Sequence, residues 1–208
     1  MHKIYNGLWR HTTYNDQIDL TFNQYFLEGE EPLLVHTGSS QDAPALLRAL
    51  QGKKISYIFV SHFESDECGA LCPVLETYPS AKVITGEVTA RQFKGFGIHA
   101  DVLVAEANQT ITVGDFEFLT IAYPSEMHLW DGLLLYEKRH KIFFSSDLMI
   151  RFGNSDEEVL KSKWKDEVEA ISAVQVADEA RRNELKATLL QLDVALVAPG
   201  HGPALQVK

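Results

Sequence analysis

The segment Ser61-His62-Phe63-Glu64-Ser65-Asp66-Glu67 places four potential metal ligands, His62, Glu64, Asp66 and Glu67, within six positions. They follow the apolar run Ile55-Ser56-Tyr57-Ile58-Phe59-Val60, where a buried strand should stop. An extended chain points residues i, i+2 and i+4 to one side. His62, Glu64 and Asp66 are therefore expected to project together, with Glu67 turning in as the next helix begins. Three carboxylates and an imidazole converging at a strand end are costly to desolvate without a cation. A metal site is the first chemistry the sequence suggests.

Three further candidates sit just beyond predicted strands, where α/β folds place their ligands. His128 lies in Pro124-Ser-Glu-Met-His-Leu-Trp-Asp131, Asp147 follows Lys141-Ile-Phe-Phe-Ser-Ser146, and His201 stands between Gly200 and Gly202. One such residue alone is usually a turn former or a structural hydrogen bonder. Four such loops in one chain point to a shared site.

The elements that must position these loops follow from hydrophobic period and turn residues. Ile4–Trp9, Thr21–Leu27 and Pro32–His36 are predicted strands. A helix is expected over Gln41–Leu50. Asp66 is expected to cap a single helix running to about Thr77. Further strands are expected at Ala81–Thr85 and Asp101–Val104, with a short helix at Glu87–Phe93 between them. Thr110–Val113 and Phe116–Ile121, joined by Gly114-Asp115, form a hairpin. Gly132–Tyr136 and Lys141–Phe144 make another strand pair. One or two helices fall between Ser155 and Leu192, and a last strand spans Asp193–Ala198. Strands first, then β–α alternation, then helices and a closing strand imply a layered α/β sandwich, a single domain over residues 1–208.

Composition narrows the function classes. The 208 residues carry a net charge of −10, and 45% of them are hydrophobic. A globular core is expected. The acidic balance excludes a nucleic-acid surface and disfavours anionic membranes. No signal-peptide pattern opens the chain, so a cytoplasmic location is expected. The two cysteines, Cys68 and Cys72, are expected on one helix face as small buried hydrophobes, since that placement disfavours a disulfide. His36 is expected to be structural, and His2, His11, His99 and His140 to be surface or turn residues.

The residues His62-x-Glu64-x-Asp66-Glu67, His128-Leu-Trp-Asp131, Ser145-Ser-Asp147 and Gly200-His201-Gly202, with an opening strand Thr21–Leu27, resemble the metallo-β-lactamase superfamily and, within it, the flavodiiron proteins. The resemblance covers nearly all of residues 1–203. It implies a metallo-β-lactamase-like four-layer αββα sandwich and two iron ions with oxo, hydroxo or peroxo bridging. His62, Glu64 and His128 would hold one iron. Asp66, Glu67 and His201 would hold the other, and Asp147 would bridge. Ordinary hydrolases of this fold carry a second His where Glu64 stands. Extra carboxylates favour iron or manganese over zinc.

Glu67 departs from the flavodiiron pattern, which has His there. With Glu64, Asp66 and Asp147 it brings the ligand charge to −4, matching two ferrous ions. Two ferric ions would leave a surplus of +2 that a peroxide or two hydroxides could neutralise, so Glu67, one charge more negative than His, is expected to favour the oxidised or peroxo-bound state. Flavodiiron proteins also append a flavodoxin-like domain, and no flavin-phosphate loop is visible here, so FMN is not expected in this chain. The implied function is binding and slow reduction of dioxygen or NO. The protein would act as an oxygen or iron sensor in signalling such as chemotaxis, with a chemoreceptor-type partner. Otherwise it would be a reductase subunit fed by a flavoprotein or rubredoxin. A homodimer follows from the resemblance alone. The competing class is a zinc- or iron-dependent hydrolase.

Overall fold

The structure is a computed structural model that describes residues 1–124, 132–155 and 159–208. Two sheets stack face to face with helices outside both. The first sheet has the order β1 (His2–Tyr5), β2 (Leu8–Asn15), β3 (Leu20–Leu27), β4 (Leu33–Val35), β5 (Tyr57–Phe59), β6 (Lys82–Thr85), β7 (Asp101–Val104). Its first four strands pair antiparallel and its last four parallel. The crossovers carry α1 (Ala43–Ala49), α2 (Ser65–Cys68), α3 (Leu71–Thr77) and α4 (Glu87–Gly95).

The second sheet contains β8 (Thr110–Val113), β9 (Phe116–Ala122), β10 (Leu133–Glu137), β11 (Ile142–Ser146), β12 (Val159–Ser162), β13 (Leu196–Pro199) and β14 (Ala204–Val207). Its spatial order is β12-β14-β13-β11-β10-β9-β8. Helices α5 (Trp164–Ala170) and α6 (Glu179–Leu189) cover its outer face. Asp178 caps α6 by accepting from the Arg181 backbone N–H at 2.8 Å.

The layering is visible residue by residue in the period of two along each strand. Leu33 and Val35 on β4, Leu133 and Leu135 on β10, and Ile142 and Phe144 on β11 all enter the core between the sheets. Their alternates leave it. Leu34 packs under α1 and α3, whereas Leu134 and Phe143 pack under α5 and α6. Strands buried on both faces read as continuous apolar runs for this reason. The expected four-layer αββα sandwich is the architecture observed. Among the described residues no helix is long and apolar enough to cross a membrane.

Several local expectations are corrected. The helix predicted from Asp66 to Thr77 is two helices, α2 and α3, and Asp66 caps neither. Glu64 occupies the N-cap position of α2 without a side-chain cap bond. The break falls at Gly69-Ala70, where Ala70 N–H donates to Gly38 C=O at 2.8 Å instead of continuing the helix. A Cβ on Gly69 would lie 2.9 Å from Ser40 N, so the Ser39-Ser40 turn leaves room only for glycine. The break also separates the cysteines. Cys68 is buried and Cys72 is exposed, so Cys72 is not the buried hydrophobe expected. The strand expected over Ile4–Trp9 is split by a turn at Asn6-Gly7 into β1 and β2, β2 runs on to Asn15, and β12 and β14 are additional. His2 and His11 lie half-buried in β1 and β2 rather than at the surface or in turns, whereas His99 is exposed and His140 sits in a turn as expected.

Phe144, 2% exposed, fills the inter-sheet core beside Tyr25, with ring centroids 5.9 Å apart. Phe144→Ala is expected to cost about 3–5 kcal/mol in urea unfolding through loss of burial and a residual cavity. A cost below about 1 kcal/mol would show that the two sheets are not packed through this residue.

Candidate metal centre

Five of the seven candidate ligands meet at one end of the sandwich, where β5, β11 and β13 stop. His62, Glu67 and Asp147 form one buried donor group, and Asp66, Glu67 and His201 form a second. Within each, the ligand atoms lie inside 4.8 Å of one another. His62 Nε2 is 3.4 Å from Asp147 Oδ2 and 3.6 Å from Glu67 Oε2. His201 Nε2 is 3.2 Å from Asp66 Oδ2 and 3.1 Å from Asp147 Oδ1. Asp147 thus turns one oxygen toward each imidazole. Glu64 is the outlier. Its side chain is 53% exposed at the rim, with Oε2 3.1 Å from His62 Nε2, and it belongs to neither compact group. His128 lies outside the described residues.

The simple alternation argument for His62, Glu64 and Asp66 fails. Strand β5 ends at Phe59, and the chain bends through Ser61–Phe63 before α2 begins at Ser65. The bend buries His62 and turns Glu64 outward. The first turn of α2 then delivers Asp66 and Glu67 together. A helix start achieves what an extended segment was expected to do.

Backbone devices hold each ligand. His36 adopts a left-handed conformation with φ 61°. The turn after it lets Thr37 N–H donate to the Glu67 carbonyl at 2.8 Å. His36 is buried and stacks on Phe59. Burial first, then the neighbouring His62, pushes its pKa down to about 3, so it is neutral. Ser146, with φ 46°, holds the position before Asp147. Its hydroxyl pairs with that of Ser61 at 2.9 Å, and the Ser61 hydroxyl meets His62 Nδ1 at 2.9 Å. Left-handed conformations at non-glycine residues cost roughly 1–3 kcal/mol and cluster at functional sites.

The His201 turn is clamped from β3, by residues the sequence reading had assigned no role. Asn23 Nδ2 donates to the carbonyls of Pro199 and Gly202, at 3.1 and 2.8 Å. Tyr25 OH donates to the Pro199 carbonyl at 2.8 Å. The Thr21 hydroxyl accepts from Gly202 N–H, and the Thr21 carbonyl accepts from His201 Nδ1 at 2.9 Å. A carbonyl cannot donate, so Nδ1 carries a proton, and Nε2 is the nitrogen that faces the centre and offers its lone pair once its own proton is displaced. Gly202 is required at φ 92°, where a Cβ would lie 2.7 Å from Arg151 O. The one sequence signal for this clamp was the polar alternation Thr21-x-Asn23 inside the strand Leu20–Leu27.

The donor chemistry fits a hard or borderline cation. All five gathered side chains offer oxygen or imidazole nitrogen, the set suited to iron or manganese. Cys68 does not join them. Its Sγ contacts the Glu64 carbonyl, and burial pushes the thiol up to about 12. Without a cation the cluster is electrostatically strained. Burial, then Asp147 and Asp66, hold the Glu67 carboxyl well above the usual range. Burial opposes a charge on His201, but Asp147 and Asp66 overcome it and push its pKa up to about 10. Burial likewise opposes ionisation of Asp66, yet its bond to His201 keeps that carboxyl below the ordinary range. Glu67 Oε2 is buried without a hydrogen-bond partner.

Comparison with known proteins gives the family and the fold. A family model described as "ODP family beta lactamase" matches residues 20–202, most of the chain. The chain belongs to this family. It is 24% identical over 199 residues to a putative diflavin flavoprotein A 2 of Nostoc sp., covering 89% of this chain and 34% of that protein. The structure resembles rubredoxin oxygen:oxidoreductase from Desulfovibrio gigas with a TM-score of 0.80 at 20% identity, covering 99% of this chain and 57% of that one. It also resembles the flavodiiron protein from Giardia intestinalis, with a TM-score of 0.76 at 16% identity, covering 96% and 54%. These likenesses show the fold, a flavodiiron-type metallo-β-lactamase-like core. The chain spans about a third of the length of the curated relatives it matches first.

Two outcomes follow from the centre's charge and its clamp. Glu67 and His201 both hold their protons more tightly folded than unfolded. Their contribution to the stability of metal-free protein is present at low pH. It is lost as pH rises, from about 4.3 for Glu67, and from about 6.5 up to about 10 for His201. Metal must displace these protons, so apparent metal affinity is expected to rise with pH, with proton release detected by calorimetry in buffers of different ionisation enthalpy. Equal heats in all buffers would contradict this. Asn23→Asp, which sets a carboxylate against two carbonyls, is expected to weaken metal binding at the His201 position by about 10–100-fold. Wild-type affinity in equilibrium dialysis would show that the clamp does not orient His201.

Proposed function

We propose that the chain forms one domain housing a dinuclear non-heme iron centre that binds and reduces dioxygen or NO. The observation that carries this reading is the convergence of buried His62, Glu67, Asp147 and His201 and half-buried Asp66 around one space, with only oxygen and nitrogen donors gathered there. Glu64, at the rim, and His128, in the sequence between β9 and β10, complete the proposed ligand set. Family membership and the flavodiiron-type fold support the same reading. Two irons held here would supply electrons and open positions for a diatomic ligand.

The protein's own residues supply orientation and access. Ser61 and the Thr21 carbonyl hold the two imidazoles, and Asp147 faces both positions. Four carboxylates place more negative charge on the metals than a hydrolase site of this fold does. That favours the oxidised state and makes a metal-bound water harder to deprotonate, which counts against hydrolysis. A cleft of about 440 Å³ between Thr13–Gln17, Phe22, Ser39, Gln41 and Asp42 reaches Asp66. Electrons would come from a separate flavoprotein or rubredoxin-type donor. Where such a donor is scarce, the oxidation state of the irons would itself be the signal. This is the sensor reading, with a chemoreceptor-type partner.

Anaerobic reconstitution with ferrous iron followed by oxygen tests the proposal. Two irons per chain and an optical band that appears with oxygen and disappears with dithionite are expected. Stoichiometric zinc binding with no oxygen response would contradict it. Asp147→Ala is expected to loosen both irons, and a full metal complement in that variant would remove Asp147 from its assigned role.

A further inference from the structure

The two compact donor groups have one side chain in common. Glu67 lies with His62 and Asp147 in the first and with Asp66 and His201 in the second. Its residue is 1% exposed, and its carbonyl is fastened to Thr37, so the side chain projects inward from a fixed point. Resting on the dinuclear reading above, we propose that Glu67 is a second carboxylate bridge, spanning both metal positions beside Asp147, and not a terminal ligand of the Asp66–His201 position alone.

The chemistry of the residue type supports this role. A carboxylate has two oxygens and can bind a cation through each. An imidazole has one free nitrogen once the other is hydrogen-bonded, so the His found at this position in flavodiiron proteins would serve one metal. Glu also has one methylene more than Asp, which lets the carboxylate reach from the first turn of α2 to the space between His62 and His201. Its Oε2 is already 3.6 Å from His62 Nε2, while the same carboxylate lies within 4.8 Å of ligand atoms of Asp66 and His201. With Glu67 and Asp147 both shared, the first metal to bind orients two ligands of the second. Metal uptake then becomes cooperative, because ligands ordered once need not be ordered again.

Cobalt(II) serves as the probe, titrated anaerobically into the metal-free protein and followed by its visible absorbance. The wild type is expected to saturate at two cobalt ions per chain along a sigmoidal curve. Glu67→Gln keeps the side-chain shape, and circular dichroism and thermal melting of the metal-free variant establish that it folds. It is expected to lose the sigmoidal form and to weaken both binding steps by about tenfold or more. Asp66→Asn, which alters a ligand of one group only, is expected to weaken one step. If Glu67→Gln also weakens one step and leaves the other at wild-type affinity, Glu67 is terminal and the bridge is wrong. Two independent steps in the wild type would likewise overturn it. A wild-type protein that takes up no metal would sink the dinuclear reading, and the bridge with it.

Discussion

Carboxylates crowded into a space from which water is nearly excluded repel one another and lose hydration, and the fold works against that cost at a single point. Asp66, Glu67 and Asp147 meet His62 and His201 with separations of 3.1–3.6 Å between imidazole nitrogens and carboxylate oxygens. A metal-free cluster of this kind survives by holding protons, which is why Glu67 and His201 both resist losing theirs. A pair of divalent cations would replace those protons and remove the repulsion together. The rest of the molecule is organised to keep the five side chains in place despite their mutual repulsion.

That organisation is built from both sheets. The first contributes His62, Asp66 and Glu67 through the bend and short helix after β5. The second contributes Asp147 and His201 from the ends of β11 and β13, which are parallel neighbours. The inter-sheet core brings the two sets of strand ends to the same level. Cross-sheet hydrogen bonds then set the fine position. Asn23 and Tyr25 on β3 hold the turn after β13, and Ser61 reaches Ser146 across the layers. Left-handed residues at His36 and Ser146 flank the centre on either sheet. Such strain persists only where surrounding bonds over-determine the backbone.

Much of this was legible in the sequence, for identifiable reasons. Strands buried on both faces appear as apolar runs, and ligand-type residues stand out against them, so His62, Asp66, Glu67, Asp147 and His201 were all visible at strand ends. The hairpin at Gly114-Asp115 was fixed by its turn residues. Tertiary detail was harder to see. The break between α2 and α3 depends on the close approach of Gly69 to Ser40, a contact between segments nearly thirty residues apart. The inward turn of Glu67 follows from the helix start expected there, but the outward turn of Glu64 depends on a bend that no period of two or 3.6 encodes. β12 was hidden in a Lys- and Glu-rich stretch that resembles helix. Asn23 looked like an interruption in a strand because its partners, Pro199 and Gly202, lie 176 and 179 positions away.

The central claim is that imidazoles and carboxylates from separate loops surround two metal ions. Anomalous diffraction at the iron edge, from crystals of anaerobically reconstituted protein, tests it most directly. The account predicts two iron peaks, one within bonding reach of His62 and Asp147 and the other within reach of Asp66 and His201, with Glu67 touching both. No iron peak among these side chains, or a single one with Glu67 turned away, would contradict it.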